Sequence, residues 1–366
     1  MDRGYNRVKG KDGAADERIA IFPVTERGAS VARGIARGFV KAAVFKPGSL
    51  KGGRLGKKVR SAFQRFDAIV FISATGIAVR TVAPLLKDKT SDPAVIVVDE
   101  RGRFAISLVS GHLGGANDLT RKVSSIIKAA PVITTATDLA GLPCIEDVAR
   151  RFSLAIEDKA AIKAVNSAIL AGKGVLIADG NRERLKAVRK AFGRFRVFTF
   201  SKTLSERPGI GAAAVITNKR RYQAPEALRK KTLILRPRDI VAGMGCRKGT
   251  SSREIERAIE KVFKEAGLSR LSIRNIATVS LKRRERGLVS YARREGVGLH
   301  FFTPAELDRV QPPSGPSKAA IQNLGVRAVA EPAALLSSGA LKLCVKKAKT
   351  KKVTVAIAEA PFTSLA

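Results

Sequence analysis

The amino-acid sequence predicts an α/β protein of three successive α/β units: an N-terminal doubly wound, mostly parallel sheet, a weaker middle unit and a C-terminal α/β domain. Short apolar runs alternate along the chain with segments whose apolar residues recur at helical spacing. This alternation is typical of helices layered on mostly parallel sheets. The chain has 366 residues, of which 45% are hydrophobic, so it can build two or three domains with proper cores.

The predicted boundaries divide the chain into four segments. Residues 1–17 are expected to be a disordered basic leader, because they lack the apolar centre of a signal peptide. Residues 18–142 form the predicted N-terminal domain, residues 143–237 the middle domain and residues 238–366 the C-terminal domain. The middle segment repeats the strand–helix alternation only weakly and carries no sharp motif.

Each predicted domain has its own strands. In the N-terminal domain we expect strands at residues 19–24, 42–45, 67–72, 94–98, 104–109 and 132–135, and helices at residues 30–39, 55–66, 76–86 and 117–128. In the middle domain the predicted strands are residues 174–178, 196–200, 213–217 and 232–235. In the C-terminal domain we expect a helix at residues 252–266 and strands at residues 240–243, 272–280, 299–302, 341–345 and 353–357.

The composition is strongly basic, with 69 Lys and Arg against 31 Asp and Glu and a formal net charge of +38. A nucleic acid is the first partner that such a charge suggests. However, the basic residues are spread over nearly every segment, aromatic residues make up only 5%, and no zinc-finger or RNP-type pattern is present. The charge therefore indicates either a solvated surface or attraction for a small polycarboxylate, and nucleic acid is not favoured.

Three widely spaced cysteines, Cys144, Cys246 and Cys344, form no CxxC motif. Their spacing fits neither a zinc site nor a disulfide framework and predicts a reducing cytoplasm. No apolar run approaches the roughly 20 residues that span a bilayer, so no membrane partner is expected. Neither a dinucleotide fingerprint nor a P-loop is present.

Three glycine-bearing turns follow predicted strands and precede predicted helices. They are SATG at residues 73–76, SGHLGGAN at residues 110–117 and GMGCRKGTS at residues 243–251. Glycine lets backbone N–H groups approach a ligand closely, and a helix N-terminus favours anions. Each turn alone also fits simple helix initiation, and residues 251–254 match a capping box. Together the three turns predict a site for an anionic small molecule.

His112 is one of two histidines in the chain and lies within the second turn. Loops at strand-to-helix junctions often build sites in α/β proteins, although a helix-start turn with an incidental imidazole fits the same residues. Residues 134–138, TTATD, end another predicted strand with hydroxyls and a carboxylate, which fit either a site or an Asx turn. The second histidine, His300, lies in an apolar run and is expected to be structural.

These motifs, in this order, resemble those of the CbiG family of cobalamin-biosynthesis proteins, the cobalt-precorrin-5A hydrolases. The matching segments are residues 71–80, 87–95, 110–117, 134–138, 241–250 and 353–358. The pairing of SGHLGGAN with GxGCRxGT is specific, whereas the middle third matches mainly by length and position. The sequence departs from the family after Lys282, where the family tends to carry acidic residues and this chain has Arg-Arg-Glu-Arg.

The resemblance implies a cytoplasmic enzyme acting on a ring-contracted cobalt tetrapyrrole. Members of the family open a δ-lactone and release the extruded two-carbon unit as acetaldehyde. The substrate is an anion rich in carboxylates, and its cobalt arrives already bound, so we expect no cofactor and no metal site. The resemblance is compatible with transient contacts to neighbouring pathway enzymes, and the oligomeric state is left open.

Lactone opening needs a base and donors for the developing oxyanion. We assign His112 as the first-choice general base and Asp138 as the second catalytic residue. Backbone N–H groups around Gly114 and Gly115 are the expected oxyanion donors. The predicted substrate-binding residues are Thr75, Gly76, Arg80, Gly111, Gly114, Gly115, Asn117, Thr134, Thr135, Gly243, Gly245, Arg247, Gly249 and Thr250. A corrinoid carrier without turnover and a nucleic-acid binder are the competing interpretations.

Overall fold

The computed structural model describes residues 17–88, 92–193, 195–199, 209–222 and 226–363. These residues fall into two compact units, divided between Arg151 and Phe152. Most of the predicted leader, residues 1–16, lies outside the described residues, as does the last residue of the strand predicted at 196–200. Among the described residues, no helix has both the length and the apolar character needed to cross a membrane.

The first unit is a six-stranded sheet with helices between its strands. Its strands are β1 (Arg18–Pro23), β2 (Lys41–Val44), β3 (Ala68–Ile72), β4 (Ala94–Val98), β5 (Phe104–Val109) and β6 (Ala130–Val132). Its helices are α1 (Glu26–Ala36), α2 (Arg54–Arg65), α3 (Thr75–Val82), α4 (Ala116–Ile127), α5 (Ala136–Leu139) and α6 (Ile145–Arg151). The strand order is β2-β1-β3-β4-β5-β6, and every pair is parallel except β4 with β5.

The central strands β3 and β4 are buried along their whole length. Continuous apolar strands are expected where helices cover both faces of a parallel sheet. Two separate clusters of buried apolar residues line the two faces, one built around Ile21 and Val70 and the other around Phe22 and Phe71. The predicted doubly wound fold class is therefore confirmed.

The hairpin between β4 and β5 reverses the direction of the chain. In the antiparallel register Val98 lies opposite Ala105, and Val95 lies opposite Val109. The loop that follows Val109 is therefore at the amino end of β4, whereas helix α3 follows the carboxyl end of β3. The first two glycine-bearing turns of the sequence consequently lie at opposite ends of the strands.

The second unit contains two five-stranded sheets. The strands of the first sheet are β7 (Leu154–Ile156), β8 (Gly174–Asp179), β9 (Val197–Thr199), β10 (Ile210–Ile216) and β11 (Thr232–Pro237). Their order in the sheet is β7-β11-β10-β8-β9. The helices of this part are α7 (Ala160–Leu170) and α8 (Arg182–Ala191). Among the described strands of this sheet, only β7 runs antiparallel to its neighbour.

The other sheet follows directly along the chain. Its strands are β12 (Ile240–Cys246), β13 (Ile273–Val279), β14 (Gly298–Phe302), β15 (Val345–Lys349) and β16 (Val353–Glu359), in the order β14-β13-β12-β16-β15. Its helices are α9 (Ser252–Glu265), α10 (Arg286–Glu295), α11 (Pro304–Asp308), α12 (Lys318–Leu324) and α13 (Ala330–Ser338). Strands β12, β13 and β14 are parallel, whereas β16 runs antiparallel to both β12 and β15.

Several parts of the structure differ from the sequence-based expectations, among them the unpredicted strand β7 and the following three. The strand predicted at residues 341–345 lies further along, at β15, whose lysines give an exposed edge strand no apolar pattern to detect. The strand predicted at residues 132–135 ends at Val132, and residues 136–139 are helical. Helix α6 was not predicted. It belongs to the first unit, where Arg150 of α6 bonds to Asp118 of α4 and Asp147 of α6 bonds to His112 in the loop before α4. The predicted boundary at 142/143 therefore precedes the last helix of that unit.

Candidate active site in the first unit

His112 lies in the loop of residues 110–115, which joins β5 to α4. Successive backbone hydrogen bonds close this loop: the Gly115 N–H donates to the His112 carbonyl, and the Ala116 N–H donates to the Ser110 carbonyl. Ser110 takes a left-handed conformation with φ of 60°, which is uncommon for a residue with a side chain. The loop is thus a tight, defined turn that fixes the position of the imidazole.

The glycines of this loop are explained by packing. A Cβ at Gly111 would lie 2.9 Å from Oδ1 of Asn117, and a Cβ at Gly114 would overlap the side chain of Ser110. Gly115 has a φ of 86°, in the left-handed region that favours glycine. The Gly115 N–H donates to the His112 carbonyl, so in this arrangement that N–H is not free to act as the predicted oxyanion donor.

Both ring nitrogens of His112 have side-chain partners. Nδ1 lies 2.9 Å from Oδ2 of Asp147, and Nε2 lies 3.0 Å from Oγ1 of Thr137. An ionised carboxylate can only accept a hydrogen bond, so in the neutral imidazole Nδ1 carries the proton and Nε2 accepts. The Thr137 hydroxyl therefore donates to Nε2, the unprotonated nitrogen whose lone pair a general base uses to accept a proton.

The surroundings of His112 change its basicity. Burial acts to lower the pKa of His112, but the hydrogen bond and charge of Asp147, with the charges of Glu146 and Asp138, outweigh it and hold the pKa above its ordinary value. The histidine side chain remains 15% exposed. The imidazole is therefore a stronger base than a free histidine, with partial access to solvent.

Asp138 and Asn117 lie beside this pair. The buried Asn117 amide donates to Oδ2 of Asp138 at 2.9 Å and to Oγ1 of Thr135 at 3.0 Å, and its oxygen accepts from Ser107. Oδ2 of Asp138 also lies 3.7 Å from Nε2 of His112. The structure thus brings together His112, Asn117, Thr135 and Asp138, all of which the sequence had singled out.

Asp138 is a weak base in this setting. Burial acts to raise the pKa of Asp138, but hydrogen bonds from Thr135 and Arg121, together with the charge of His112, lower the pKa below its ordinary value. A carboxylate with both oxygens engaged and a lowered pKa is suited to positioning its neighbours and stabilising a cation. The geometry therefore favours His112 over Asp138 as the base.

Alternating charges connect the two acids that flank His112. Arg121 bonds to Asp138 and to Asp118, and Arg150 bonds to Asp118 and to Asp147. Two arginines and three aspartates therefore form a chain from one side of the imidazole to the other. Such a network restricts the carboxylates to one arrangement around the ring.

Sequence reasoning missed Asp147 and Thr137. Asp147 lies on α6, which carried no recognised motif, and Thr137 was seen only as part of TTATD. The available signal was local composition: Glu146 and Asp147 are adjacent acids at a helix start in a chain where basic residues outnumber acidic ones.

Other predicted residues lie elsewhere in the unit. Thr75, Gly76 and Arg80 are on α3, at the opposite end of the strands from His112, because the β4–β5 hairpin reverses the chain. The structure therefore does not bring these three residues together with His112, and their predicted contact with substrate stays a prediction. Thr134 is exposed, one residue before the N-cap of α5.

The side chains around His112 also include potential metal ligands. A ring nitrogen of His112, Sγ of Cys144 and a carboxylate oxygen of Asp147 all lie within 4.8 Å of one another. Burial, together with the charge of Glu146, strongly raises the pKa of the Cys144 thiol. The thiol donates a hydrogen bond to Glu146 at 2.7 Å, as a protonated thiol does. A metal would have to displace that proton to bind there.

The GMGCRKGTS segment of the second unit comprises the carboxyl end of β12 and the turn that follows the strand. Gly243 lies inside that strand, where a Cβ would overlap the carbonyl oxygen of Ala330 and lie 2.7 Å from the nitrogen of Ala334. Gly243 is therefore required for α13 to pack on the sheet, and it is not among the residues that line the cavity described below. The Gly249 N–H donates to the carboxylate of Glu285 at 3.0 Å, and the buried Thr250 hydroxyl donates to the Arg247 carbonyl at 2.7 Å.

A cavity of ≈ 1270 Å³ opens at this end of the sheet. The carboxyl end of a parallel strand is the usual place for ligands in open α/β sheets. Four residues predicted to bind substrate line this cavity: Gly245, Arg247, Gly249 and Thr250. Its basic lining residues are Arg247, Lys248, Lys282, Arg284, Arg286, Lys347, Lys349, Lys351 and Lys352.

The acidic residues of the cavity are already engaged. Glu285 accepts from Gly249 and pairs with Lys282 at 3.3 Å. Glu331 accepts from Ser314 and from the Lys347 N–H. The lining therefore has a large excess of positive charge, which suits a ligand with several carboxylates.

Comparisons with known proteins give the same family for both ends of the chain. The families described as cobalamin synthesis G N-terminal and cobalamin synthesis G C-terminus match residues 57–138 and 240–358. A cobalt-precorrin-5A hydrolase of Priestia megaterium is 31% identical over 357 residues, covering 94% of this chain and 95% of that protein. A cobalt-precorrin-5A hydrolase of Salmonella typhimurium is 34% identical over 337 residues, covering 89% of this chain and 93% of that protein.

Among solved structures, a cobalamin biosynthesis protein G homologue from Sulfolobus solfataricus covers 94% of this chain and 97% of its own, with a TM-score of 0.40 and 24% sequence identity. The two family matches include the His112 loop and the β12 turn. With relatives that are 31% and 34% identical over most of its length, the chain belongs to the CbiG family.

Proposed function

We propose that this chain is a cobalt-precorrin-5A hydrolase of anaerobic cobalamin biosynthesis. In this reaction the δ-lactone of the ring-contracted cobalt tetrapyrrole opens and the extruded two-carbon unit leaves as acetaldehyde. The observation that carries the proposal is the near full-length similarity to relatives of that name. The His112–Asp147 pair supports it, because it supplies the base that lactone opening requires.

His112 acts as the general base for lactone opening. Its raised pKa lets it hold the proton it receives and return it to the leaving oxygen. Carbon–carbon cleavage then requires loss of the proton from the hydroxyl that opening releases, and the same imidazole can accept it. Asp138 keeps the ring in place and offsets the positive charge that develops on it.

The basic cavity of the second unit takes carboxylates of the macrocycle. Arg247 and the neighbouring lysines supply the positive charge, and the turn after β12 shapes the wall. A carboxylate-rich substrate is attracted by this field and its binding weakens with salt. The high net charge of the chain thereby serves capture of a small anion, with nucleic acid not favoured as a partner.

The remaining expectations concern cofactor and location. We propose that no cofactor or added metal is needed, because cobalt enters bound in the substrate. Any test of the metal requirement must include a reaction with a chelator, because His112, Cys144 and Asp147 are close enough together to hold a metal ion. We also propose a cytoplasmic location, from the three free cysteines.

The decisive experiment is incubation of the pure protein with cobalt-precorrin-5A, followed by enzymatic measurement of acetaldehyde. We expect one acetaldehyde per substrate, in the presence of a chelator and without added nucleotide. A strict requirement for a nicotinamide or an added metal ion would rule out this form of the reaction. Tight binding of the substrate with no acetaldehyde would instead identify a corrinoid carrier.

A further inference from the structure

The hydroxyl of Thr137 is in position to act as a nucleophile. Its Oγ1 lies 3.0 Å from Nε2 of His112, whose Nδ1 lies 2.9 Å from Oδ2 of Asp147. Building on the proposed function, we propose that Thr137 attacks the lactone carbonyl and forms a covalent acyl-threonine ester. Lactone opening would then proceed in two steps, with water entering only in the second.

The three side chains form the arrangement that activates hydroxyl nucleophiles. Such sites need a hydroxyl bonded to an imidazole, and an imidazole oriented by a third group. Here Asp147 holds the proton on Nδ1, so the lone pair of Nε2 points at the Thr137 oxygen. The residues come from three separate segments: the loop after β5, helix α5 and helix α6.

The geometry favours Thr137 over water as the group that His112 deprotonates first. Nε2 already accepts the threonine hydroxyl, so a water molecule must displace that hydroxyl to give up its own proton to the ring. Thr137 is 5% exposed and its carbonyl accepts from the Leu142 N–H at 2.8 Å, so its backbone is anchored. Of the two side chains, that of His112 is the more accessible to solvent, with 15% of its surface exposed.

The chemistry balances without any other reactant. In the first step Oγ1 bonds to the lactone carbonyl carbon, Nε2 takes the hydroxyl proton, and the ring C–O bond breaks. The leaving oxygen takes that proton from the imidazolium and becomes the free hydroxyl from which acetaldehyde is released. In the second step water attacks the ester carbon, Nε2 takes a proton from water, and Oγ1 leaves and recovers it. The sum is addition of one water across the lactone C–O bond.

The test is to trap the ester. Full-length protein is mixed with cobalt-precorrin-5A, quenched in acid, and its intact mass and peptide map are recorded. A parallel reaction with hydroxylamine tests for a hydroxamate of the opened lactone. The variants are Thr137→Ser, which keeps a hydroxyl, Thr137→Val, which keeps the shape, and Thr81→Val as a control. The Thr81 hydroxyl donates to the Ile77 carbonyl within helix α3, at the opposite end of the strands from His112.

We expect an acyl adduct on residue 137 in wild type and in Thr137→Ser, and hydroxamate in excess of the uncatalysed background. Thr137→Val should melt at the wild-type temperature, form no adduct and lose at least about 10²-fold in turnover. Thr81→Val should match wild type. Wild-type turnover in Thr137→Val would overturn the proposal. A second outcome would also overturn the proposal: Thr137→Val is slow, but neither wild type nor Thr137→Ser gives an adduct or a hydroxamate. In that case water is the nucleophile. Absence of acetaldehyde from wild type would instead contradict the proposed function.

Discussion

Nδ1 of His112 lies 2.9 Å from Oδ2 of Asp147, although 35 residues separate them in the chain. The contact exists because α6 returns to the loop after β5, where the bond between Arg150 and Asp118 also ties α6 to α4. It fixes the tautomer of the imidazole and raises its pKa, and thereby turns one of two histidines in the chain into a base.

Replacing His112 with alanine should lower turnover far more than it lowers stability. Loss of a general base typically costs about 10²–10⁴ in rate. The measurement is the single-turnover rate of acetaldehyde release, with the melting temperature recorded in parallel.

His300→Ala is the matched control for that variant. His300 lies on β14 in the second unit, and its Nδ1 lies 3.1 Å from the Ser337 hydroxyl, so the change should lower the melting temperature with little effect on rate. Equal turnover in His112→Ala and wild type would show that the loop only binds substrate.

Asp147→Asn should shift the pH dependence of the reaction. The base must be neutral, so kcat/KM rises with pH as His112 loses its proton, around a pKa that Asp147 raises. In the variant the hydrogen bond to an ionised carboxylate and the charge of Asp147 are lost, and only the charges of Glu146 and Asp138 still oppose burial, so the pKa of His112 falls and the rise moves to lower pH. Maximal turnover should also fall, by about 10²-fold or more, because the orienting carboxylate is lost. A pH–rate profile with its rise at the wild-type position would contradict the role given to Asp147.

The His112–Asp147 pair should make the free energy of unfolding depend on pH. Because the folded pKa of His112 is raised, its bond to Asp147 contributes stability that is fully present below the ordinary histidine pKa of about 6.5. That contribution is lost as pH rises through the folded pKa. Denaturant unfolding of wild type and Asp147→Asn at several pH values should therefore give a difference in the free energy of unfolding that narrows toward alkaline pH.

Arg247→Ala should weaken substrate binding and leave the chemical step unchanged. Arg247 lines the basic cavity, and its loss removes a positive charge that attracts carboxylates. We expect KM to rise several-fold, a smaller dependence of KM on salt, and kcat close to wild type. Arg257→Ala, on the exposed side of α9, is the control for charge alone. Equal KM values for the two variants would place macrocycle binding elsewhere.

Gly243→Ala should destabilise the second unit by about 1–3 kcal/mol, the usual cost of overpacking a core. The added Cβ would overlap the Ala330 carbonyl, so α13 has to move away from β12. Gly245→Ala is the matched control, because a Cβ there would meet only Cβ of Val329, at 3.9 Å. Denaturant unfolding measures both variants, and equal stability would show that α13 adjusts without cost.

Much of the local structure followed from the sequence. The apolar runs of β3 and β4 were visible because central parallel strands are buried on both faces, and α9 was visible from its capping box and apolar spacing. The family followed chiefly from two motifs, at residues 110–117 and 243–250. These features depend on neighbouring residues only, so periodicity and spacing were sufficient to find them.

The site depended on contacts that spacing does not encode. The β4–β5 hairpin placed Thr75 and His112 at opposite ends of the strands, although both lie at a strand-to-helix junction. The role of Gly243 depends on a carbonyl of α13 that lies nearly ninety residues away in the sequence. Asp147 and Thr137 reach His112 only after α5 and α6 have packed against the loop. The sequence by itself determined the strands, the helices and the family, whereas the tertiary structure decided which side chains share the imidazole, because strand direction and helix packing bring distant residues together.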